Sequence, residues 1–220
     1  MAASITLAVS LYGISFGALA VAAGFSFWQT TALSVLMFTG GSQFAFIGVV
    51  AAGGSPAAAF SSATLLGVRN TLYGIQIKAL LRPLGLKKLL SAQVTIDESM
   101  AAATAQETRP EQRRGFWLTG IGIWIGWSAA TAIGALLGDA MADPEAFGLD
   151  GAVVAAFLGL LWPRLKAREP WALAVVAALV TVLTMPLAPA GVPILIAAAA
   201  AILWGLLAAR MERASQEADA

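Results

Sequence analysis

Arg69, in the stretch LLGVRNTLYG (residues 65–74), is the first charged side chain of the chain, and sixty-eight uncharged residues precede it. A guanidinium presents five N–H donors in a planar fork, a shape suited to a carboxylate. Two adjacent acids, Asp97 and Glu98 in TIDESM, could pair with such a cation or carry a proton. The third chemically suggestive stretch is FTGGSQF, residues 38–44. Each glycine costs about 1 kcal/mol against alanine inside a helix, and Ser42 is a good N-cap. A helix is therefore expected to stop at Gly40 and Gly41 and restart at Ser42 and Gln43. Its free N–H groups and positive dipole end would suit a carboxylate. Asn70, Tyr73 and Gly74 add polar reach and close approach beside Arg69.

Each of these has a plainer reading. Arg69 could snorkel from a shorter crossing or belong to a structural ion pair. Gly and Ser at positions 40–42 could serve close helix packing. Two acids between basic flanks could form a solvated face. The pairs Gly13/Gly17, Gly122/Gly126 and Gly134/Gly138 read as packing surfaces, within the chain or with another subunit.

The absences narrow the chemistry. No cysteine or histidine occurs, which excludes thiol redox chemistry, Cys or His metal ligation and Ser-His or Cys-His dyads. No cofactor is expected, and no enzymatic activity. A net charge of +1 gives no reason to expect nucleic acid.

The elements that must position these groups are apolar helices. Hydrophobic residues make up 59% of the chain and charged ones 11%, far from the roughly 25% charged residues of soluble domains. A hydrocarbon core of about 30 Å needs about 20 helical residues. The sequence predicts an all-α, polytopic membrane bundle forming one domain over residues 1–220, with roughly six or seven crossings and a broken or re-entrant helix. Segments are expected near 4–23, 30–52, 57–81, 116–138, 147–163, 170–187 and 192–209, with breaks at GFSFWQ and GGSP. Arg82–Arg114 is the most polar region, and within it Ser91–Thr108 is expected to be a cytoplasmic amphipathic helix or a re-entrant piece. Trp28, Trp117, Trp162 and Trp171 read as interface anchors. The N-terminus has no basic n-region or clear cleavage site, which argues against a removable signal peptide. Lys and Arg cluster at 82–88, 109–114, 164–168 and 210–213, whereas Asp139–Asp150 holds four acids and no base. That distribution predicts a cytoplasmic C-terminus, including the tail 210–220.

In order along the chain, GISFGALAVAAG, FTGGSQF, RNTLYG, IDES and AFGLDGAVVAAFLGLL resemble the AzlC family over about Tyr12–Leu207. The resemblance implies the large subunit of a bacterial exporter of branched-chain amino acids in the cytoplasmic membrane, driven by the proton gradient and working with a small AzlD-like membrane subunit. It departs from the family where Asn-x-Arg-His commonly precedes Leu-Tyr-Gly: here Gly67, Val68, Arg69 and Asn70 stand instead. With histidine missing, Asp97 and Glu98 become the leading proton-carrier candidates. Gly40, Gly41, Ser42, Gln43, Arg69, Asn70 and Tyr73 are the expected substrate-binding residues. The rival expectation is a scaffold or regulatory membrane subunit without transport of its own.

Overall fold

The computed structural model describes residues 2–140, 158, 161–162 and 165–218. Among them nine helices have defined bounds and there is no strand. They are α1 (Ala2–Ala22), α2 (Phe27–Leu36), α3 (Gly41–Ala51), α4 (Pro56–Leu81), α5 (Leu86–Gln93), α6 (Asp97–Thr104), α7 (Arg109–Ala140), α8 (Arg168–Thr184) and α9 (Val192–Ala218).

Local chemistry sets most of the boundaries. After α1, Ser26 and Gln29 form a reciprocal cap on α2: the Gln29 N–H donates to Ser26 Oγ at 3.3 Å, and the Ser26 N–H donates to Gln29 Oε1 at 2.8 Å. Ser55 caps α4 by accepting from the Ala58 N–H at 3.2 Å, with Pro56 in the first helical position. The GFSFWQ and GGSP breaks thus fall where Gly, Ser and Pro place them.

The central contact is α1 on α7, and small residues set its closeness. A Cβ added at Gly13 would lie 2.7 Å from the Trp127 carbonyl oxygen. One at Gly17 would collide with the Thr131 carbonyl, and one at Gly134 with that of Ile14. At Gly138 it would lie 2.8 Å from Ala18 Cα. The small-residue spacings therefore serve packing within this chain. Next to this seam Phe16, Phe44 and Trp127 form a buried aromatic cluster, with Phe16 edge-on to Phe44 at 5.5 Å between ring centres. The N-terminal part of α7 closes on the α5–α6 connection, where a Cβ at Gly120 would lie 2.9 Å from the Val94 carbonyl oxygen.

Outside this core the helices turn apolar side chains outward: Leu7 and Leu11 on α1, Ile125 and Ile133 on α7, Val182 and Leu183 on α8. α8 packs on α9 and contains no buried residue. Such surfaces suit hydrocarbon rather than water.

By length and composition, two of the described helices can cross a membrane, within Ala3–Ala22 and Arg109–Ala140. The expected crossing at 30–52 is two helices of 10 and 11 residues, each shorter than a bilayer requires. Ser91–Thr108 is likewise neither one helix nor one amphipathic face: it spans the end of α5, a break at Val94–Ile96, and α6. The segment 147–163 falls outside the described residues apart from Leu158 and two residues at its end.

The seam gives a sharp contrast. Gly134→Val should destabilise the fold by about 3 kcal/mol or more, because the added atoms meet backbone and not a flexible side chain. Gly205→Ala on α9, where an added Cβ meets nothing within 4 Å, should be neutral or stabilising by up to about 1 kcal/mol. Thermal melts of the detergent-purified chain separate the two outcomes.

Candidate functional site

Two helix interruptions lie beside α4, which bonds to one through Arg69 and to the other through Asn70. The first lies between α2 and α3. Gly40 takes φ 58°, a left-handed conformation that glycine adopts without a Cβ penalty, and serves as the N-cap of α3. The helix thus restarts at Gly41, one residue before the expected point. Ser42 lies inside the first turn, with its Oγ buried and lacking a hydrogen-bond partner. No side chain caps α3.

Breaking a helix inside an apolar bundle strands backbone carbonyls. Three side chains donate to carbonyls at the end of α2, where Leu33 O also accepts from the Met37 N–H at 2.9 Å. Gln43 Nε2 donates to Leu33 O at 3.0 Å, Gln93 Nε2 to Val35 O at 2.8 Å, and Trp124 Nε1 to the same Val35 O at 3.0 Å. The second interruption, between α5 and α6, is fastened in the same manner. Ser99 Oγ accepts from the Ile96 N–H at 3.0 Å and donates to Val94 O at 2.8 Å, while Asn70 Nδ2 donates to Thr95 O at 3.2 Å. Polar side chains from neighbouring helices therefore hold both breaks open in defined shapes.

Arg69, midway along α4, joins the two. Its Nη1 lies 2.7 Å from Asp97 Oδ2, at the first residue of α6. Its Nη2 donates to Thr39 O at 3.5 Å, in the α2–α3 break. The side chains are 25% and 18% exposed respectively, so the pair is shielded without being sealed. Arg69 Nε is buried and has no hydrogen-bond partner among the described residues. Asp97 and Glu98 both stand in the first turn of α6, where the helix dipole favours negative charge.

The pair opens onto a cavity of about 270 Å³. One part of its wall is polar: Tyr12, Thr39, Arg69, Asp97 and Glu98, with the Gly40–Gly41 backbone between them. The other part is apolar, formed by Val9, Phe38, Phe44, Ile96, Ile123 and Trp127. A small molecule with a charged or zwitterionic head and an apolar tail fits this division.

Of the residues singled out in the sequence, Gly40, Gly41, Arg69, Asp97 and Glu98 line the cavity. Ser42, Gln43, Asn70 and Tyr73 do not. Ser42 and Gln43 are buried behind the wall, and Gln43 is committed to Leu33. Asn70 turns away from Arg69 by about 100° of helix and holds Thr95. Tyr73 is half-buried one turn further along α4. The apolar wall was missed, although Trp127, far from either end of its segment, could have signalled an inward-facing aromatic. Trp28, by contrast, is 77% exposed near the start of α2, as an interface anchor would be.

The fold and the site define a helical membrane protein with an internal cavity of mixed polarity. A family model described as "AzlC protein" matches residues 4–141, and the chain belongs to the AzlC family. The matched region contains α2–α7, all of α1 but its first two residues, and every residue of the cavity wall. It is shorter than the Tyr12–Leu207 resemblance read from the sequence, and AFGLDGAVVAAFLGLL lies beyond it. Inner membrane protein YgaZ of Escherichia coli (strain K12) is 33% identical over 157 residues, covering 69% of this chain and 61% of that protein. The chain thus spans less than two thirds of that relative's length. No solved structure matches it.

Removing one partner of a shielded ion pair leaves the other uncompensated, a loss of about 3 kcal/mol or more. Arg69→Gln and Asp97→Asn should each lower thermal stability by amounts of that order. The double variant should be less destabilised than the sum of the two, a coupling readable from a double-mutant cycle of melts.

Proposed function

We propose that this chain is the large membrane-embedded subunit of a secondary transporter that exports small apolar amino acids, working with a small AzlD-like subunit. The observation that carries the reading is the Arg69–Asp97 pair at 2.7 Å on the wall of a half-apolar cavity. A zwitterionic amino acid carries both complements of that pair on one carbon. Its carboxylate meets Arg69, whose Nε is otherwise without a partner, and the uncapped start of α3 at Gly41. Its ammonium meets Asp97. A branched aliphatic side chain then lies against Phe38, Phe44, Ile123 and Trp127. Exchanging one ion pair for two offsets much of the cost of desolvating the substrate's charges.

Transport needs a binding difference between two states of the protein. The two interrupted helices are the elements proposed to move, since their junctions are tied by a few side-chain hydrogen bonds and not by continuous helix. Glu98, beside Asp97 on the cavity wall and in no ion pair among the described residues, is the group proposed to carry the proton. No covalent step and no cofactor enters this scheme. The chain is placed as a multi-pass protein of the bacterial inner membrane with a cytoplasmic C-terminus. Two supports for that placement are the inner-membrane relative and the basic clusters at 164–168 and 210–213. Roughly six or seven crossings are proposed, with α2 and α3 together making one.

The same ion pair also favours a second reading, a non-transporting scaffold in which Arg69 and Asp97 serve assembly alone. Efflux of labelled valine from proteoliposomes containing both subunits tells the readings apart. Asp97→Asn should weaken apparent valine affinity about thirtyfold or more. Glu98→Gln should keep valine–valine exchange while losing efflux driven by a proton gradient. Swapping the charges, Arg69→Asp with Asp97→Arg, should restore complex yield in a scaffold but leave a transporter inactive. Unchanged gradient-driven efflux in Glu98→Gln would remove that acid from coupling.

A further inference from the structure

Away from the cavity, the corner where α4 ends and α7 begins has an unabsorbed chemistry. α4 terminates at Leu81, and Arg82 takes φ 46° to turn the chain toward α5. Two adjoining hollows meet at this corner and share Leu81, Arg82 and Arg113. Lys87 lines the first and Arg109 the second, so four cations surround them and neither contains an acid. Among the described residues none of the four cations is in an ion pair. Arg113 Nη2 donates to Leu81 O at 2.8 Å, which fixes the start of α7 against the end of α4 and holds the corner in shape.

The rim is apolar. Leu84 is 83% exposed, Leu86 and Leu89 nearly as much, and Trp117 forms part of the inner wall. α5, LKKLLSAQ, places those leucines beside Lys87 and Lys88 on a short helix with a single buried residue, Ser91. A free phosphate would need the cations but not three exposed leucines. A phospholipid needs both: cations for its phosphate and an apolar border for its acyl chains. Clusters of Lys and Arg also mark the cytoplasmic side of a membrane, where anionic lipids give the leaflet its negative surface potential.

We propose that this corner is a binding site for the headgroup of an anionic phospholipid, with Arg82, Lys87, Arg109 and Arg113 around the phosphate and Leu84, Leu86 and Trp117 along the acyl chains. The bound lipid braces the α4–α5 turn, about two turns of helix before the Val94–Ile96 break that presents Asp97 to the cavity.

Native mass spectrometry of the full-length purified chain tests this, using delipidated protein offered equal amounts of phosphatidylglycerol and phosphatidylcholine. Phosphatidylglycerol adducts should dominate. Each Lys or Arg near an anionic leaflet favours binding about fivefold, so Arg82→Gln/Lys87→Gln should weaken phosphatidylglycerol retention about thirtyfold. Lys87→Gln/Arg109→Gln, which leaves the Arg82 turn intact, should do the same. Lys166→Gln/Arg168→Gln, at residues lining neither hollow, should change nothing. Equal retention of the two lipids, an equal loss in the 166/168 variant, or displacement of the lipid by inorganic phosphate at matched concentration would each overturn the assignment.

Discussion

The structure turns on one ion pair held inside an apolar bundle. Isolated, either Arg69 or Asp97 would be expensive to place there; together, at 2.7 Å, they become tolerable and fix three segments relative to one another. α4 supplies the cation, the start of α6 supplies the carboxylate, and the α2–α3 break supplies a carbonyl through Thr39. Five polar side chains nearby brace the two breaks. Gln93 and Trp124 serve the Val35 carbonyl that an intact α2 would have paired internally, Gln43 adds a second donor to Leu33 O, and Ser99 and Asn70 brace the second break.

Rigidity is distributed unevenly around this centre. The α1–α7 seam is backbone against backbone, with glycines admitting contacts that any Cβ would prevent, and it forms a stiff wall carrying Tyr12, Ile123 and Trp127. Facing it are short helices of 8 to 11 residues whose ends rest on side-chain hydrogen bonds. A cavity between a stiff wall and segmented helices can change its opening without repacking the whole bundle, which is the mechanical requirement for a site exposed alternately to two sides.

The apolar helices and their Gly, Ser and Pro punctuation were legible in the sequence because they depend on local chemistry. Ser26, Ser55 and Pro56 act where they stand. Arg69 was legible as an anomaly, a charge with no business in hydrocarbon unless it had a partner. Asp97 and Glu98 stood out as candidate partners, but the choice between them was not legible, since residues 69 and 97 meet only through the fold, and a pair of acids between basic flanks reads equally well as a solvated surface. The restart at Gly41 in place of Ser42 was missed because a good N-cap residue competes with a positive-φ glycine, and the backbone requirement of the turn won. Asn70 and Gln43 looked like ligands for the same reason that they make good braces: a broken helix needs polar side chains whether or not a substrate binds. The aromatic wall was hidden because Phe and Trp are ordinary in membrane helices, and their inward direction follows from α1–α7 packing.

A structure of the complex with valine bound would test the central claim most directly, through the separation of Arg69 and Asp97. The account predicts the amino acid's carboxylate within hydrogen-bond distance of Arg69, its ammonium within that distance of Asp97, and the direct contact between the two side chains opened. Valine bound elsewhere, with the 2.7 Å contact intact, would contradict it.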